Sequence, residues 1–507
     1  MTAADLSGFL AVKADASRAW RLIGCSLACL GVIAAALLSD ERFQHWFVWP
    51  VFLCGVLVCL DAAQWLWGEV DFYDPVGLVG VAGLYFFFFS PLLVVFYDHK
   101  ISYLPQQPDD YRAWLGGMAL LNALGLLVYR CARKFAAHWL RPIWLGRRPE
   151  RSLDLRLFWP LLAILLAVSL GAQLAMYASF GGIAGYVNAY MGLLSGRDAF
   201  RGTGWLTLVA ESFPLLALMG FAVLARRYRV LRSGVMLILV LAGLLVLQIF
   251  FGGLRGSRSN TIWALAWAVG ILHFYVRRLP RWVVPAGLGV LFLFGYLFAF
   301  YKNVGADALD VLASSDAHAD FARKTGRTLE VLLVSDFGRA DVQAFLLSKI
   351  WEQPETLRFA LGQTYLGAAC LLIPASLWPD RPPGKVKWTT EAEFGPGSFN
   401  NGSLYSTRIY GLAGEAMLNF GLAGVVLGFA ALGWGAAWLR RLAGSLDGGD
   451  PLRMLVPFLI NGCVLALIND SDIQVVYLVK NGTLPFLLIA ACYRWRGRPT
   501  LALGGAR

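Results

Sequence analysis

Charged residues are scarce in this chain. Asp, Glu, Lys and Arg make up 15% of its 507 residues, hydrophobic residues make up 58%, and the mean hydropathy is +0.60. A soluble domain usually carries about 25% charged residues, and a disordered chain has far fewer apolar ones. The scarcity of charge therefore excludes a soluble globular protein and a disordered one.

Histidine and cysteine are also few, with 5 His and 8 Cys. Most of the cysteines fall inside apolar runs, and the spacing of His and Cys matches neither a disulfide framework nor a metal site. The sequence also lacks the motifs of nucleotide hydrolysis, zinc proteolysis and serine hydrolysis. We therefore expect no metal ion and no cofactor, and these enzyme classes are disfavoured.

The sequence does have a series of apolar runs of about twenty residues, the length at which a helix crosses a hydrocarbon core. They predict an all-α polytopic membrane protein with about 12 transmembrane helices, because helices satisfy their own backbone polar groups in lipid. The predicted spans are residues 20–39, 46–67, 76–97, 114–129, 157–177, 205–224, 234–252, 261–276, 282–300, 411–439, 454–468 and 475–493.

The net charge of +12 (44 Lys and Arg against 32 Asp and Glu) is concentrated in alternate connections between these spans. The positive-inside rule places such Arg-rich connections, and with them both termini, in the cytoplasm. Membrane topology thus accounts for the charge, which does not indicate a nucleic-acid partner. The connection 68–75 fits less well, because it carries acidic residues and no basic one.

Three parts follow from this pattern. Residues 1–300 hold spans 1 to 9, residues 301–410 form one large periplasmic loop, and residues 411–507 hold spans 10 to 12 with a short cytoplasmic tail. Within the long connection (residues 301–410), apolar spacing predicts surface helices at 311–324 and 329–351. Residues 361–378 predict a re-entrant or interfacial segment, and the Pro- and Gly-rich residues 379–401 predict a loop.

Cations at the predicted outer face are the first candidate functional residues. Arg255 and Arg258 lie three residues apart in a short turn between two spans, with Gly and Ser between them. Two guanidinium groups in such a turn can clamp a phosphate, although snorkelling toward lipid headgroups is the alternative. Arg197 and Arg201 lie in another outer loop, where they bind substrate or form an ion pair with Asp198.

Polar residues entering the tenth span form a second group of candidates. Arg408, Glu415 and Asn419 are spaced seven and four residues apart, which predicts one shared helical face. A Glu inside an apolar helix is costly unless it faces a cavity or a cation. Glu415 is therefore either a base at a membrane-level cleft or the structural partner of Arg408.

Further candidates are less sharply defined by the sequence. Asp336 and Arg339, in Asp-Phe-Gly-Arg, and His318 supply acid–base or binding groups in the long connection. Lys480 is the only Lys or Arg well inside a predicted span, and Glu211 carries a similar cost in another. Structural pairing is the simplest expectation for the last two.

Short motifs along the chain resemble those of the Wzy-type O-antigen polymerases. They are Asp74-Pro75, Phe180-Gly-Gly, Arg255-Gly-Ser-Arg258, and a run from Gly362 to Gly424. That run contains Gly-Gln-Thr-Tyr, Ile-Pro-Ala-Ser-Leu-Trp-Pro-Asp-Arg-Pro and Gly-Glu-Ala-Met-Leu-Asn-Phe-Gly-Leu-Ala-Gly. Arg381 departs from the family, which more often has Lys there, although the charge is kept.

The resemblance implies a metal-independent membrane glycosyltransferase of the C type. Such an enzyme joins oligosaccharide repeat units on undecaprenyl pyrophosphate at the periplasmic face of the bacterial inner membrane and releases the lipid pyrophosphate. Its implied partners are the lipid-linked glycan donor and acceptor, membrane lipids and a chain-length regulator protein. Combined with the residues above, this predicts Glu415 and Arg258 as catalytic groups, with substrate bound by Arg255, Arg408, Arg197, Arg201, Asn419, Asp336 and Arg339.

Two alternatives stay open at this point. An O-antigen ligase shares the implied architecture but transfers finished glycan to lipid A core, and in that family a His in the large outer loop is expected to matter. His318 is the only His in the long connection. A lipid-linked oligosaccharide transporter is the third possibility, although it leaves the long connection without a role.

Overall fold

The computed structural model describes residues 16–101, 104, 107–140, 151–193, 204–255, 258–304, 328–373, 377–400, 405–406 and 408–495. The chain is mostly helical, at 78%. Among the described residues, nine helices are long and apolar enough to cross a membrane. The prediction of a helical, polytopic membrane protein is confirmed at this level.

Each of the nine helices coincides with a predicted span. Their bounds, with short π-helical or non-helical interruptions included, are Val48–Leu66, Pro75–Phe96, Tyr111–Trp139, Leu155–Ser179, Gly204–Arg227, Gly234–Phe251, Gly411–Ser445, Pro451–Ile468 and Ser471–Cys492.

The other three predicted spans also fall on helices. The helices Ala16–Leu38 and Val283–Val304 contain shorter apolar stretches, and Arg258–Ile271 continues as a π-helical turn, Leu272–Val276. Shorter helices occupy the connections: Ile183–Leu193, Leu329–Val331 with the π-helical turn Leu332–Phe337, Ala340–Glu352, Gln363–Cys370 and Lys385–Phe394.

Nine helices around the site are labelled in chain order, and seven of them lie before the last span. They are α1 (Leu155–Ser179), α2 (Gly234–Phe251), α3 (Arg258–Ile271), α4 (Ala340–Glu352), α5 (Gln363–Cys370), α6 (Lys385–Phe394) and α7 (Gly411–Ser445). The last span begins with α8 (Ser471–Tyr477) and continues through the π-helical turn Leu478–Gly482 into α9 (Thr483–Cys492).

A small sheet departs from the all-α prediction. Strand β1 (Arg151–Leu153) pairs antiparallel with β2 (Tyr493–Trp495), with Ser152 opposite Arg494. The three-residue strands are too short to show a periodic pattern in the sequence. They join the start of α1 to the end of the last span.

Two acidic residues of the connection 68–75, which fitted the charge pattern poorly, pair with residues of neighbouring elements. Asp74 accepts from Val76 N and Gly77 N and pairs with Arg440 at 2.8 Å. Asp71 lies 2.9 Å from His273 Nε2. These partners come from two distant elements, since Arg440 lies in the helix Gly411–Ser445 and His273 lies in the π-helical turn Leu272–Val276.

The long connection folds differently from its prediction in two places. The predicted helix 329–351 is interrupted at Gly338–Arg339, and the first nine residues of its second part, α4, are buried. In the described part of 361–378 the only helix is the eight-residue α5, which is too short to span a membrane, so a re-entrant or interfacial segment stays the prediction there. Residues 379–401 are not all loop, because α6 occupies ten of them. The predicted helix 311–324 lies outside the described residues.

Among the described residues, the most extensive helix–helix contact joins α7 to the span Tyr111–Trp139, and glycine residues let the two helices approach closely there. A Cβ atom on Gly433 would lie 2.3 Å from the carbonyl oxygen of Tyr129, and one on Gly125 would lie 2.4 Å from the ring of Phe429. Small residues of this kind let two membrane helices pack closely. The packing fixes α7, which carries Glu415 and Asn419.

Candidate functional site

The site begins where α7 does. Gly411 opens the helix with φ +66°, a conformation that favours glycine, and Tyr410 is its N-cap. Arg408 therefore lies before the helix, and helical spacing does not govern where its side chain points. The prediction that Arg408 shares a helical face with Glu415 and Asn419 is wrong for Arg408. Glu415 and Asn419 do share a face, since Asn419 Nδ2 donates to the Glu415 carbonyl at 2.8 Å.

Glu415 is buried, with 3% of its surface exposed, and hydroxyl and amide groups hold its carboxylate. Oε1 accepts from Thr364 Oγ1 at 2.7 Å and from Ser471 Oγ at 2.5 Å, and Oε2 accepts from Ser471 N at 2.7 Å. In the described part of the chain Glu415 forms no ion pair. The alternative in which Arg408 is its structural partner is therefore wrong.

Arg408 instead pairs with Asp341, a fully buried residue of α4. No local pattern predicts this pair, because the two residues are 67 positions apart and Asp341 lies in an apolar helix. The backbone carbonyl of Arg408 also accepts from Lys385 Nζ at 2.7 Å. Arg408 thus connects α4 to α6 beside the start of α7.

Lys385 and Asp470 form a buried ion pair that sequence reasoning missed. Nζ of Lys385 lies 2.6 Å from Oδ2 of Asp470, and both side chains are almost wholly buried. Burial opposes the charge on Lys385, but the carboxylates of Asp470 and Asp472 outweigh it, so its pKa is raised. The sequence did not predict a buried Lys385, because the residue lies in a Pro- and Gly-rich stretch and such stretches usually form exposed loops.

Asp470 also holds the first turn of α7. Its Oδ1 accepts from Tyr410 N at 3.0 Å and from Gly411 N at 2.8 Å. A carboxylate at a helix N-terminus satisfies amide groups that have no partner within the helix and interacts favourably with the helix dipole. Asp470 therefore links Lys385 of α6 to the helix that carries Glu415.

Asn419 positions α5 next to Glu415. Its Nδ2 donates to Thr364 Oγ1 at 2.7 Å, and its Oδ1 accepts from Gly362 N at 2.9 Å. The hydroxyl of Thr364 can thus accept from Asn419 while it donates to Glu415. Every polar group of Asn419 is used within the protein, which favours a positioning role over direct substrate contact.

Arg339 is held by backbone carbonyl groups. Its Nε donates to Ile468 O at 3.2 Å and its Nη1 to Asp336 O at 3.0 Å, with a further bond to Gly338 O. Burial lowers the pKa of Arg339 to about 10. Arg339 therefore ties the turn before α4 to the end of the span Pro451–Ile468, while Asp336 is half-buried in the π-helical turn Leu332–Phe337.

A second polar cluster surrounds Glu211. Asn260 donates through Nδ2 to Glu211 Oε2, Asn481 Nδ2 donates to Asn260 Oδ1 at 2.6 Å, and Lys480 Nζ lies 3.7 Å from Glu211 Oε1. A structural partner was expected for Lys480, and for Glu211 an arginine partner was expected; in the structure the two residues lie next to each other as an ion pair. Lys480 and Ser471 belong to the same span.

The predicted phosphate clamp is described only in its backbone. Arg255 ends a short 3₁₀ turn, Gly253–Arg255, and Arg258 is the first residue of α3. Their side chains lie outside the described part of the structure, as do Arg197, Arg201 and His318 altogether. The turn directly follows Gly252, whose Cβ position would lie 3.1 Å from Asn260 Nδ2. The clamp is therefore adjacent to the Glu211 cluster.

The geometry suits the handling of a hydroxyl group beside a concentration of fixed charge. Glu415 can take up a proton through Ser471, whose half-buried hydroxyl connects the carboxylate to the surface. Among the described residues no group of three or more His, Cys, Asp and Glu could hold a metal ion. Comparisons with protein-family models, with curated proteins and with solved structures find no significant match to this chain.

Proposed function

We propose that this protein is a membrane glycosyltransferase that joins undecaprenyl-pyrophosphate-linked oligosaccharide repeat units at the periplasmic face of the bacterial inner membrane. The proposal rests on the resemblance of the motifs to the Wzy-type polymerases. The observation that carries it furthest is Glu415, a buried carboxylate held by hydroxyl and amide donors and not by a cation. A carboxylate of this kind can accept a proton without first breaking an ion pair.

In the proposed reaction a hydroxyl oxygen of the acceptor glycan attacks the anomeric carbon of the donor. The bond from that carbon to the pyrophosphate oxygen breaks, and the lipid pyrophosphate leaves with the electron pair. The hydroxyl proton passes by way of Ser471 Oγ to Glu415. Arg255 and Arg258 neutralise the charge that develops on the leaving group, and Arg258 carries the larger share.

The last span gives the proposal a structural basis, because it contributes to both polar clusters. Ser471 contacts Glu415, and Lys480 contacts Glu211 next to the Arg255–Arg258 turn. Nine residues separate Ser471 from Lys480, roughly 14 Å along a helix. Because the base must lie within hydrogen-bond reach of the hydroxyl that attacks the carbon bonded to pyrophosphate, we propose that the arginine side chains extend from their turn toward Ser471 and hold the pyrophosphate between the two clusters. Arg197, Arg201 and Arg408 are proposed to bind the same substrate.

The glycan phenotype of a strain that lacks the gene tests the proposal. Loss of the polysaccharide ladder with one repeat unit still attached to lipid A core is the expected result. Loss of all attachment would instead identify a ligase, and repeat units accumulating on the cytoplasmic leaflet would identify a transporter. Complementation with the wild-type gene controls for effects on neighbouring genes.

A further inference from the structure

Gln248 is a fully buried amide whose side chain has no partner. It lies in the last turn of α2, with 0% of its surface exposed, and neither its Oε1 nor its Nε2 forms a hydrogen bond within the described chain. An unsatisfied polar group in the apolar part of a membrane protein costs several kcal/mol. A polar side chain in such a place indicates a function.

Other amides surround the same end of α2. Gln173 of α1 donates through Nε2 to Phe250 O at 3.2 Å, and its Oε1 has no partner. Asn260 of α3 lies against Gly252, one turn beyond Gln248. Asn481 donates to Asn260, while its own Oδ1 has no partner in the described structure. We call Gln173, Gln248, Asn260 and Asn481 the amide cluster.

The chemistry of the amide cluster selects one class of ligand. Its four side chains come from four different helices and present three unpartnered acceptor oxygens and one unpartnered donor group. A carboxamide offers a donor and an acceptor side by side and matches a sugar hydroxyl, which also donates and accepts. A phosphate would leave the acceptor oxygens without a donor, and a cation would leave the donor group without an acceptor.

The position of the amide cluster determines which sugar it would meet. The turn Gly253–Arg255 begins directly after α2, so the predicted pyrophosphate clamp adjoins the cluster. On the proposed function, on which this inference rests, the sugar nearest the clamp is the one attached to pyrophosphate. We infer that the amide cluster binds this first sugar of the lipid-linked substrate and selects it by its hydroxyl pattern.

The test compares two probes on the purified full-length protein in lipid nanodiscs: undecaprenyl pyrophosphate alone, and the strain's own repeat unit on the same carrier. The wild type should bind the glycosylated carrier more tightly than the bare carrier. Gln248→Leu, close in size, should reduce that preference by about tenfold, the worth of one or two buried hydrogen bonds. Affinity for the bare carrier should stay unchanged.

Two further variants keep the test decisive. Gln173→Leu should lower the preference in the same way if Gln248→Leu fails to fold, as judged by thermal unfolding. Asn122→Leu is the matched control, because Asn122 is a buried amide with an unpartnered Oδ1 in the span Tyr111–Trp139, and it should leave the preference intact.

Two other outcomes would count against the inference. An unchanged preference in folded Gln248→Leu and Gln173→Leu proteins would mean that only water occupies the amide cluster and would overturn the inference while leaving the proposed function in place. Failure of the wild type to bind either probe would overturn the proposed function and this inference with it.

Discussion

Glu415 and Asp470 each hold the start of the helix beside the other. Glu415, in the second turn of α7, accepts from Ser471 N at the start of α8, and Asp470, directly before α8, accepts from Tyr410 N and Gly411 N at the start of α7. Each carboxylate satisfies amide groups that its neighbour's helix leaves open. The two helix starts are thus locked together, with Lys385 of α6 attached to Asp470.

This exchange of caps gives Glu415 two roles that experiments can separate. As a cap it stabilises α8, and as a proposed base it takes a proton through the Ser471 hydroxyl. The first role affects folding and the second affects turnover. Stability and activity can therefore be measured separately in variants of these residues.

The first prediction concerns the buried pair of Lys385 and Asp470. Lys385→Met removes the cation and leaves a fully buried carboxylate uncompensated, which should lower the free energy of unfolding by about 3–5 kcal/mol. Thermal unfolding in detergent measures the change. Adding Asp470→Asn to the Lys385→Met variant should restore part of the loss. A loss below about 1 kcal/mol, typical of exposed pairs, would contradict the burial of this pair.

The second prediction is a pH dependence at Glu393 of α6. Its Oε1 accepts from Ser406 Oγ and Tyr410 Oη, Oε2 has no partner within the described residues, and burial raises its pKa above the usual 4.5. The folded state then binds the proton more tightly than the unfolded state. The resulting stability is present below the usual pKa and is lost as pH rises through the raised value.

The measurement is thermal unfolding of wild type and Glu393→Gln from about pH 4 to about pH 8. The amide resembles the protonated acid and cannot ionise, so the stability of the variant relative to wild type should rise with pH across this window. A difference that stays constant with pH would contradict the raised pKa. Glu391, a half-buried neighbour in the same helix for which Gln is equally conservative, supplies the matched control as Glu391→Gln.

The third prediction tests Glu415 as the base. Glu415→Gln should lower polymerisation by about 10²–10⁴-fold, the range for loss of a general base. Thr364→Val removes one hydrogen bond to the carboxylate but keeps the carboxylate itself, so it should cost about tenfold or less. Glycan ladders measured against protein level separate the two effects. Equal losses in both variants would mean that Glu415 acts only through helix capping.

The fourth prediction concerns the turn between α2 and α3. Arg258→Ala should lower the rate by about 10²–10³-fold, as expected for loss of one donor to a developing negative charge. Arg258→Lys should recover only part, because Lys offers a point charge where Arg can grip two oxygen atoms. Arg255→Ala should be milder. Normal polymerisation by both Ala variants, with failure of Arg197 or Arg408 variants, would place the pyrophosphate elsewhere.

The fifth prediction is that activity survives chelation. In the proposed reaction arginine side chains supply the positive charge, so EDTA should leave the rate of glycan extension unchanged. The same preparation with added magnesium serves as the control. Loss of activity in EDTA that magnesium or manganese restores would remove this mechanism.

The spans were predictable from the sequence because hydrocarbon thickness fixes the length of an apolar run, and each of the nine described membrane-length helices coincides with a predicted span. Local order was not predictable where contacts between distant residues decide it. Lys385 begins a helix inside a Pro- and Gly-rich stretch, because Asp470, 85 positions away, holds its side chain.

The candidate site shows the same division. Glu415 and Asn419 share a face because both lie within one helix, where spacing is reliable. Arg408 was misplaced because the helix begins after it, and its partner Asp341 comes from another element. Helix boundaries depend on how the first amide groups are satisfied, and at α7 the carboxylate of Asp470 accepts from them, which no local pattern before Gly411 reveals.

We propose that this protein extends lipid-linked glycans, with Glu415 and Arg258 as its catalytic groups. The most direct measurement supplies the purified protein, in nanodiscs, with a defined undecaprenyl-pyrophosphate-linked repeat unit and follows product length by gel. We expect the wild type to produce a ladder of lengthened glycans and to release lipid pyrophosphate. Glu415→Gln and Arg258→Ala proteins that remain folded should do neither. No lengthening by folded wild-type protein, or normal ladders from both variants, would contradict it.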